Sequence, residues 1–302
     1  MGTTTGFFPL CNTPVIISVS YKVLVIKRKS QDVFATGIID PYMVITLLSD
    51  FGDVYPASMK GIILDIDPSA NIVDITHSIS RHNIRAGAFI LMNTAKYYPS
   101  GTVHIAVVDP GVGTKRRAIA ARAESSDGKI HYFIGPDNGL LIPAAKSIGK
   151  IEIYEILNRA LFRKNISGTF HGRDIFAPIG AHISKGLEIE KVGECINDFN
   201  VLDFGTGRKI KDSFQGEVIY IDIFGNIITN FSGKSMDFQP GDELIIDKKK
   251  VIFRNSYGFC EKGEPLALIG SHGFLEIAVN LASAAKMFCK KQGDEIKIYI
   301  AK

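Results

Sequence analysis

Cysteine is scarce in this 302-residue chain: Cys11, Cys195, Cys260 and Cys289 are scattered, with no C-x-x-C spacing. That excludes a zinc knuckle, a dithiol redox pair and a disulfide scaffold, and fits a cytoplasmic, reducing setting. Excess charge of one sign is also missing, with 35 Lys and Arg against 31 Asp and Glu. The balance gives no electrostatic footing for nucleic acid or an acidic membrane. The basic runs at residues 27–29 and 248–250 have no interleaved aromatics to stack bases, so both read as solvated, the second at a hairpin tip. No apolar run is long enough to span a bilayer. The nearest, "PVIISVSYKVLVI" from Pro14 to Ile26, is short and contains Lys22, and the stretch before it lacks the charged start of a secretory signal. Position 6 is Gly6 rather than Ser or Thr, which removes N-myristoylation. Residues 1–42 are therefore read as an extension outside the fold, with Met43 a candidate true start. Internal repeats, low-complexity tracts and long linkers are absent too.

Nucleotide-triphosphate motifs are incomplete. "GVGTKR" from Gly111 has Arg116 where G-x-G-x-x-G needs its third glycine, and the "GKS" at Gly233 has Ile228 where the first Walker glycine belongs. Metal spacing is missing as well: there is no H-x-H, H-D or H-E-x-x-H. A phosphohydrolase-like cluster of Asp50, His77, Asp109 and His171 therefore has no pattern behind it, and no metal is expected.

What remains is an alternation of short β-rich runs and longer helical stretches from Met43, the signature of an α/β domain with a largely parallel sheet. "VITLLSDFG", "NIVDITHSI", "TVHIAVVD", "RAIAARAE", "HYFIGPD" and "KIEIYEI" read as strands. "SMKGIILDIDP" and "RHNIRAGAFILMNTAKYYPSG" read as helices, and "TFHGRDIFAPIGAHISKG" as a loop leading into a helix that Gly186 follows. From about Phe204 only short strands and turns remain, giving a small all-β, barrel-like domain. The expected division is 1–42 extension, 43–203 α/β domain and 204–302 β domain.

In open α/β sheets ligands bind beyond the carboxyl ends of strands, which gives weight to Asp50 and Asp109, each placed at a strand end before a glycine turn. A strand-end Asp also serves as a cap or turn former. The "DPGVGTKRR" loop offers backbone N–H groups beside Arg116 and Arg117, suited to an anionic or strongly polar small species. Of seven histidines, His171 stands out because "TFHGRD" sets it at a helix start, whereas His104 lies inside a strand and His182 inside a helix. Asn226, Ser271 and His272 sit beside glycines in the β domain, where ordinary hairpin chemistry explains them equally well.

Taken in order, "SDFG", "VDITHSI", "GTVHIAVVDPGVGTKRR", "GPDNGLL", "TFHGRDIFAPIGA", "IDIFGN" and "GSHGFLEIAVN" resemble the S-adenosyl-L-methionine hydroxide adenosyltransferases. These adenosine-forming hydrolases are related to fluorinating and chlorinating enzymes that use the same substrate. The likeness runs unbroken from about Met43 to the C-terminus. It implies a homotrimer with sites between the α/β domain of one subunit and the β domain of its neighbour, and hydrolysis of S-adenosylmethionine (SAM) to adenosine and methionine, with no cofactor expected. By the same resemblance Asp109, Arg116 and His171 act on the water. Asp50 holds the ribose hydroxyls, Phe170 packs beside the ribose, and Asp222, Asn226 and Ser271 lie near the methionine and adenine portions, with Tyr257 as an aromatic wall. Two departures are legible: His272 follows Ser271 where the halogenating relatives have arginine, and Gly172 stands where they have a serine. Rival readings are a SAM-dependent halogenase, a sensor that binds SAM or adenosine without turnover, and a metal-dependent nucleotide hydrolase.

Overall fold

A computed structural model describes residues 43–211 and 213–301. The extension 1–42, including the apolar stretch 14–26, lies outside the described residues. The α/β half contains β1 (Val44–Ser49), α1 (Tyr55–Ile66), β2 (Asn71–Thr76), α2 (Ile84–Ala95), β3 (Val103–Val107), β4 (Ala118–Glu124), β5 (Ile130–Pro136), α3 (Ile142–Ile148), β6 (Lys150–Ile156), α4 (Ala177–Ser184) and β7 (Gly193–Cys195). Strand order is β2-β1-β3-β5-β4-β6-β7. The run β2-β1-β3-β5 is parallel, and β4 and β7 pair antiparallel with their neighbours.

Every residue of β1 and β3 is buried, as both faces of the sheet are covered. Ile45 and Leu47 join Met59 and Ile63 of α1 and Ile179 and Ile183 of α4 on one face. On the other, Leu48 and Ala106 join Phe89 and Leu91 of α2 and Ala144 and Ala145 of α3. Each such Ile, Leu, Met or Phe side chain contributes about 1.5–3 kcal/mol through burial. Local chemistry sets the helix ends: Pro56 opens α1, and the Asn83 side chain accepts the Ala86 N–H at 2.9 Å to cap α2. One polar seam crosses this interior. Thr46 Oγ1 meets His104 Nδ1 at 2.8 Å, and His104 Nε2 meets His131 Nδ1 at 3.1 Å, with all three residues buried.

The remaining elements are β8 (Arg208–Ile210), β9 (Ser213–Ile221), β10 (Ile227–Ser232), β11 (Glu243–Ile246), β12 (Lys249–Phe253), β13 (Pro265–Ile269), β14 (Phe274–Val279), α5 (Ala284–Met287) and β15 (Glu295–Ile300). The β9–β10 pairing closes the order β9-β10-β14-β13-β12-β11-β15 into a seven-stranded barrel, with β8 added outside β9. Val218, Phe231, Leu244, Val251, Leu275 and Ile298 fill it. The β11–β12 hairpin turns through Asp247 and Lys248, both at positive φ. Lys248 is therefore at the tip, while Lys249 and Lys250 open β12. The four-residue α5 is the helical element that the strand-rich sequence of this half did not signal. The two halves meet along α2, where Phe89 stacks on Tyr220 of β9 at 4.9 Å and Arg85 bonds Glu217 at 2.6 Å.

Candidate active site

Parallel pairing of β1 with β3, Ser49 opposite Val107, sets the carboxyl ends of the two strands side by side. Asp50 follows the first and Asp109 leaves the second. Beyond Asp109 the chain turns tightly, with Val112 N–H bonded to the Asp109 carbonyl and Thr114 N–H to that of Gly111. Gly113 has φ +75°, and a Cβ there would come 2.2 Å from the Gly168 carbonyl oxygen. Only glycine lets the 168–171 segment close onto this loop and bring His171 with it.

Asp109, Arg116 and His171 form one hydrogen-bonded cluster. Arg116 Nε donates to Asp109 Oδ1 at 3.1 Å and Nη2 donates to Oδ2 at 2.5 Å, a two-pronged pair with side chains only 9% and 4% exposed. The same Nη2 faces His171 Nδ1 at 3.2 Å, and Nη1 donates to the Arg117 carbonyl at 2.9 Å. The Phe176 ring lies under the guanidinium, 5.4 Å away. Because Nδ1 receives an N–H, a neutral His171 carries its proton on Nε2. Burial lowers its pKa first, the Arg116 charge adds to the lowering, and Asp109 and Asp174 oppose it. The cluster is braced from behind: Asn138 Nδ2 donates to the Val108 carbonyl at 2.8 Å, and buried Asp137 accepts Arg117 at 2.8 Å.

His171 precedes a π-helical turn, Gly172–Phe176, which leads into α4. Such insertions recur at functional sites. The sequence placed Asp174 at the helix start, and there it is fully buried, accepting Arg173, Arg163 and the Ser167 N–H. Phe170 packs edge to face with Phe51 at 5.6 Å and Tyr55 at 5.5 Å.

Asp50 accepts the His82 N–H at 2.9 Å. Its turn is held by a relay absent from the sequence reading. Phe51 N–H donates to Ser49 Oγ at 3.3 Å, Ser49 Oγ meets His77 Nδ1 at 2.8 Å, and His77 Nε2 lies 3.1 Å from Asp74 Oδ1, off the hydrogen-bond direction. The His77 carbonyl also accepts Gly52 N–H. Of the four residues weighed for a metal, Asp109 and His171 share Arg116, while His77 is engaged with Ser49 and Asp50 with the His82 N–H. Among the described residues no group of three or more His, Cys, Asp or Glu side chains converges as a metal centre.

In the barrel, Asp222 Oδ1 accepts the backbone N–H groups of Phe224 and Asn226, and Oδ2 accepts Asn226 Nδ2, each at 2.9 Å. With Phe224, Tyr257, Leu281 and Ser283, these residues line a cleft of about 630 Å³. Ser271 is exposed in the β13–β14 turn and lies outside that lining. Behind Tyr257 is Glu276 on β14, a residue the sequence reading missed. It accepts Tyr257 Oη at 2.6 Å and faces His272 Nε2 at 3.1 Å. The signal was a single acid inside the apolar strand "FLEIAV". No lining residue of the cleft comes from the α/β half, and among the described residues no hydrogen bond links it to the Asp109 cluster.

Comparison with known proteins gives a consistent result. Residues 45–193 match the SAM hydroxide adenosyltransferase N-terminal domain and residues 216–297 the C-terminal domain. An (R)-S-adenosyl-L-methionine hydrolase from Methanocaldococcus jannaschii is 38% identical over 272 residues, covering 84% of this chain and 95% of that protein. A fluorinase from Nocardia brasiliensis is 29% identical, covering 85% of this chain and 97% of the other. The crystal structure of a conserved protein from Thermotoga maritima is 40% identical, with a TM-score of 0.77, covering 84% and 99% of the two chains. The chain belongs to the SAM hydroxide adenosyltransferase family.

Proposed function

We propose that this protein hydrolyses SAM to adenosine and L-methionine. The water oxygen bonds to C5′, the C5′–sulfur bond breaks with its electron pair going to sulfur, and one water proton is released. A sulfonium leaves as a neutral thioether, so the leaving group needs no acid. The work lies in holding a reactive oxygen in line with C5′. The observation that carries this reading is the buried Asp109–Arg116–His171 cluster. Asp109 accepts a water hydrogen, His171 orients the water through its free Nε2 side, and Arg116 fixes both and stabilises hydroxide-like charge. Asp50 takes the ribose hydroxyls and Phe170 the adjoining sugar face. Asp222, Asn226, Tyr257 and Ser271 bind the remainder from the barrel.

Hydrolysis is favoured over halogenation on two grounds. An ionised Asp109 repels a halide. A Cβ at Gly172 would stand 3.2 Å from Met59 Sδ, Phe170 Cε2 and Phe51 Cε2, which leaves little room for the serine of halogenating relatives. We further propose a homotrimer in which a neighbour's barrel completes each site. Support comes from the separation of cleft and cluster, and from Ile223, Phe224 and Leu281, which stand 90%, 70% and 79% exposed around the cleft. Cytoplasmic placement rests on the unpaired Cys195, Cys260 and Cys289, and no described helix is long and apolar enough to cross a membrane. No cofactor, metal, nucleic acid or membrane enters the scheme.

The test is product analysis by mass spectrometry after incubation with SAM, in halide-free and chloride buffers, with and without chelator. Adenosine and methionine in every condition is the expected result. Binding without turnover overturns it in favour of a sensor, a 5′-chloro nucleoside in favour of a halogenase, and loss of activity with chelator in favour of a metal enzyme.

A further inference from the structure

Among the described residues the barrel cleft is lined by one carboxylate, Asp222, and by no lysine, arginine or histidine. A second carboxylate stands behind its wall. Glu276 is only 4% exposed, and both of its oxygens are occupied by neutral donors, Oε1 by the Tyr257 hydroxyl and Oε2 by the His272 ring. His272 brings no charge in its neutral form: Phe274 N–H donates to Nδ1 at 3.1 Å, which leaves the single ring proton on Nε2, pointing at Glu276. Two accepting oxygens are the pattern of an ionised carboxylate. Among the described residues neither Glu276 nor Asp222 has a lysine or arginine within ion-pair distance. Burying an uncompensated charge is costly and persists where something else matches it. Among the described residues no lysine or arginine supplies the matching charge.

From this arrangement we infer that Glu276 is a specificity-determining residue, whose buried negative charge, transmitted across Tyr257, makes the cleft prefer a cationic nucleoside over its neutral thioether counterpart. The inference rests on the reading of this protein as a SAM hydrolase and deepens it. A sulfonium and a thioether differ by one methyl group and one charge, so shape discriminates weakly between them. Field discriminates well. A carboxylate about one aromatic ring away, at an effective dielectric near 20, changes the affinity of a unit cation by on the order of tenfold or more. Tyr257 suits the position because it stays protonated: burial raises its pKa, and its hydrogen bond to Glu276 and that residue's charge raise it further. The phenol thus conveys the field without adding a negative charge of its own at the cleft wall.

The experiment is calorimetric titration of the full-length protein with two ligands that it cannot hydrolyse. Sinefungin carries an ammonium-bearing carbon in place of the sulfonium, and S-adenosylhomocysteine is the neutral thioether. The wild-type protein is expected to bind sinefungin at least tenfold more tightly. In Glu276→Gln the preference falls roughly tenfold through loss of sinefungin affinity, with S-adenosylhomocysteine affinity unchanged. A merely structural Glu276 weakens both ligands together and leaves their ratio intact, and that result overturns the inference. Parity of the two ligands on the wild-type protein overturns it without recourse to a variant, should Glu276→Gln fail to fold. If neither ligand binds, the SAM hydrolase reading falls and this inference with it; parity with tight binding removes the inference alone.

Discussion

The Asp109 cluster and the barrel cleft solve opposite problems. In the α/β half, charged side chains are buried and bonded to one another, and the loop carrying them is fastened from behind by Asn138 and Asp137. The cleft has an open mouth ringed by exposed apolar side chains, and its acids are held by turn backbone and a phenol rather than by cations. Chemistry that must place one water needs the first kind of construction. Recognition that is completed by another copy of the chain is served by the second. Substitutions in the two regions should therefore fail differently, and the largest effect belongs to Asp109→Asn. It keeps the shape but removes the negative charge and replaces one accepting oxygen with an NH2 donor, so kcat is expected to drop about 10³-fold with KM changed only a few-fold. Steady-state adenosine formation reads both parameters. A loss confined to KM would return Asp109 to the role of a turn former.

Breaking the cleft's rim comes next. Phe224→Asp puts a charge into the exposed apolar ring and, on the proposed homotrimer, is expected to dissociate it, with activity lower by about 10² and protomer mass measured by light scattering. Mixing Asp109→Asn with Phe224→Ala subunits sharpens the comparison, because a site shared between copies regains activity from two defective chains. A cleft serving its own chain's cluster predicts no such recovery. Asn226→Ala, which frees one Asp222 oxygen, is expected to raise KM roughly tenfold and leave kcat nearly untouched.

The same contrast explains what the sequence disclosed. Strands such as "VITLLS" and "VHIAV" were legible because continuous apolar runs between turn signals leave few alternatives, and so was the position of Asp50 and Asp109 at strand ends. The roles proposed for Asp109, Arg116 and His171 came from resemblance, since the arginine and the histidine lie 55 positions apart and no spacing rule joins them. The Ser49–His77–Asp74 relay and the partners of Glu276 were invisible for a related reason. Each depends on which neighbouring strand or turn supplies the partner, and that is decided by tertiary packing. The π turn after His171 had no local signal either, because Gly172 to Phe176 has the composition of an ordinary helix start.

The pH dependence of turnover sharpens the assignment within the cluster. Burial and the Arg116 charge hold the His171 pKa below its usual 6.5, so the neutral ring persists at neutral pH. If neutral His171 orients the water, kcat/KM is flat above 6.5 and falls about tenfold per pH unit once the pH drops below the lowered pKa. His171→Asn removes that limb. An acid limb centred above 6.5 would point to another group.

The smallest effect on turnover near neutrality, and the clearest on stability, lies away from both sites in the Thr46–His104–His131 seam. Burial pushes the His104 pKa down to about 3, with the neighbouring His131 charge adding to the shift. A folded-state pKa below the unfolded value means that between about 3 and 6.5 the unfolded chain binds a proton that the folded chain refuses. The stability conferred by neutral His104 is thus complete above 6.5 and drains away as the pH falls, by about 1.4 kcal/mol per unit. The buried histidines, His104 and His131, both lie in the α/β half, so acid should loosen that half first. Hydrogen exchange at pH 5 is expected to show faster opening of β3 and β5 than of β9 and β14. Thr46→Val, which strips His104 Nδ1 of its partner, costs a further 1–3 kcal/mol or so at neutral pH. Equal acid sensitivity of the two halves would mean that the seam is not what limits the fold.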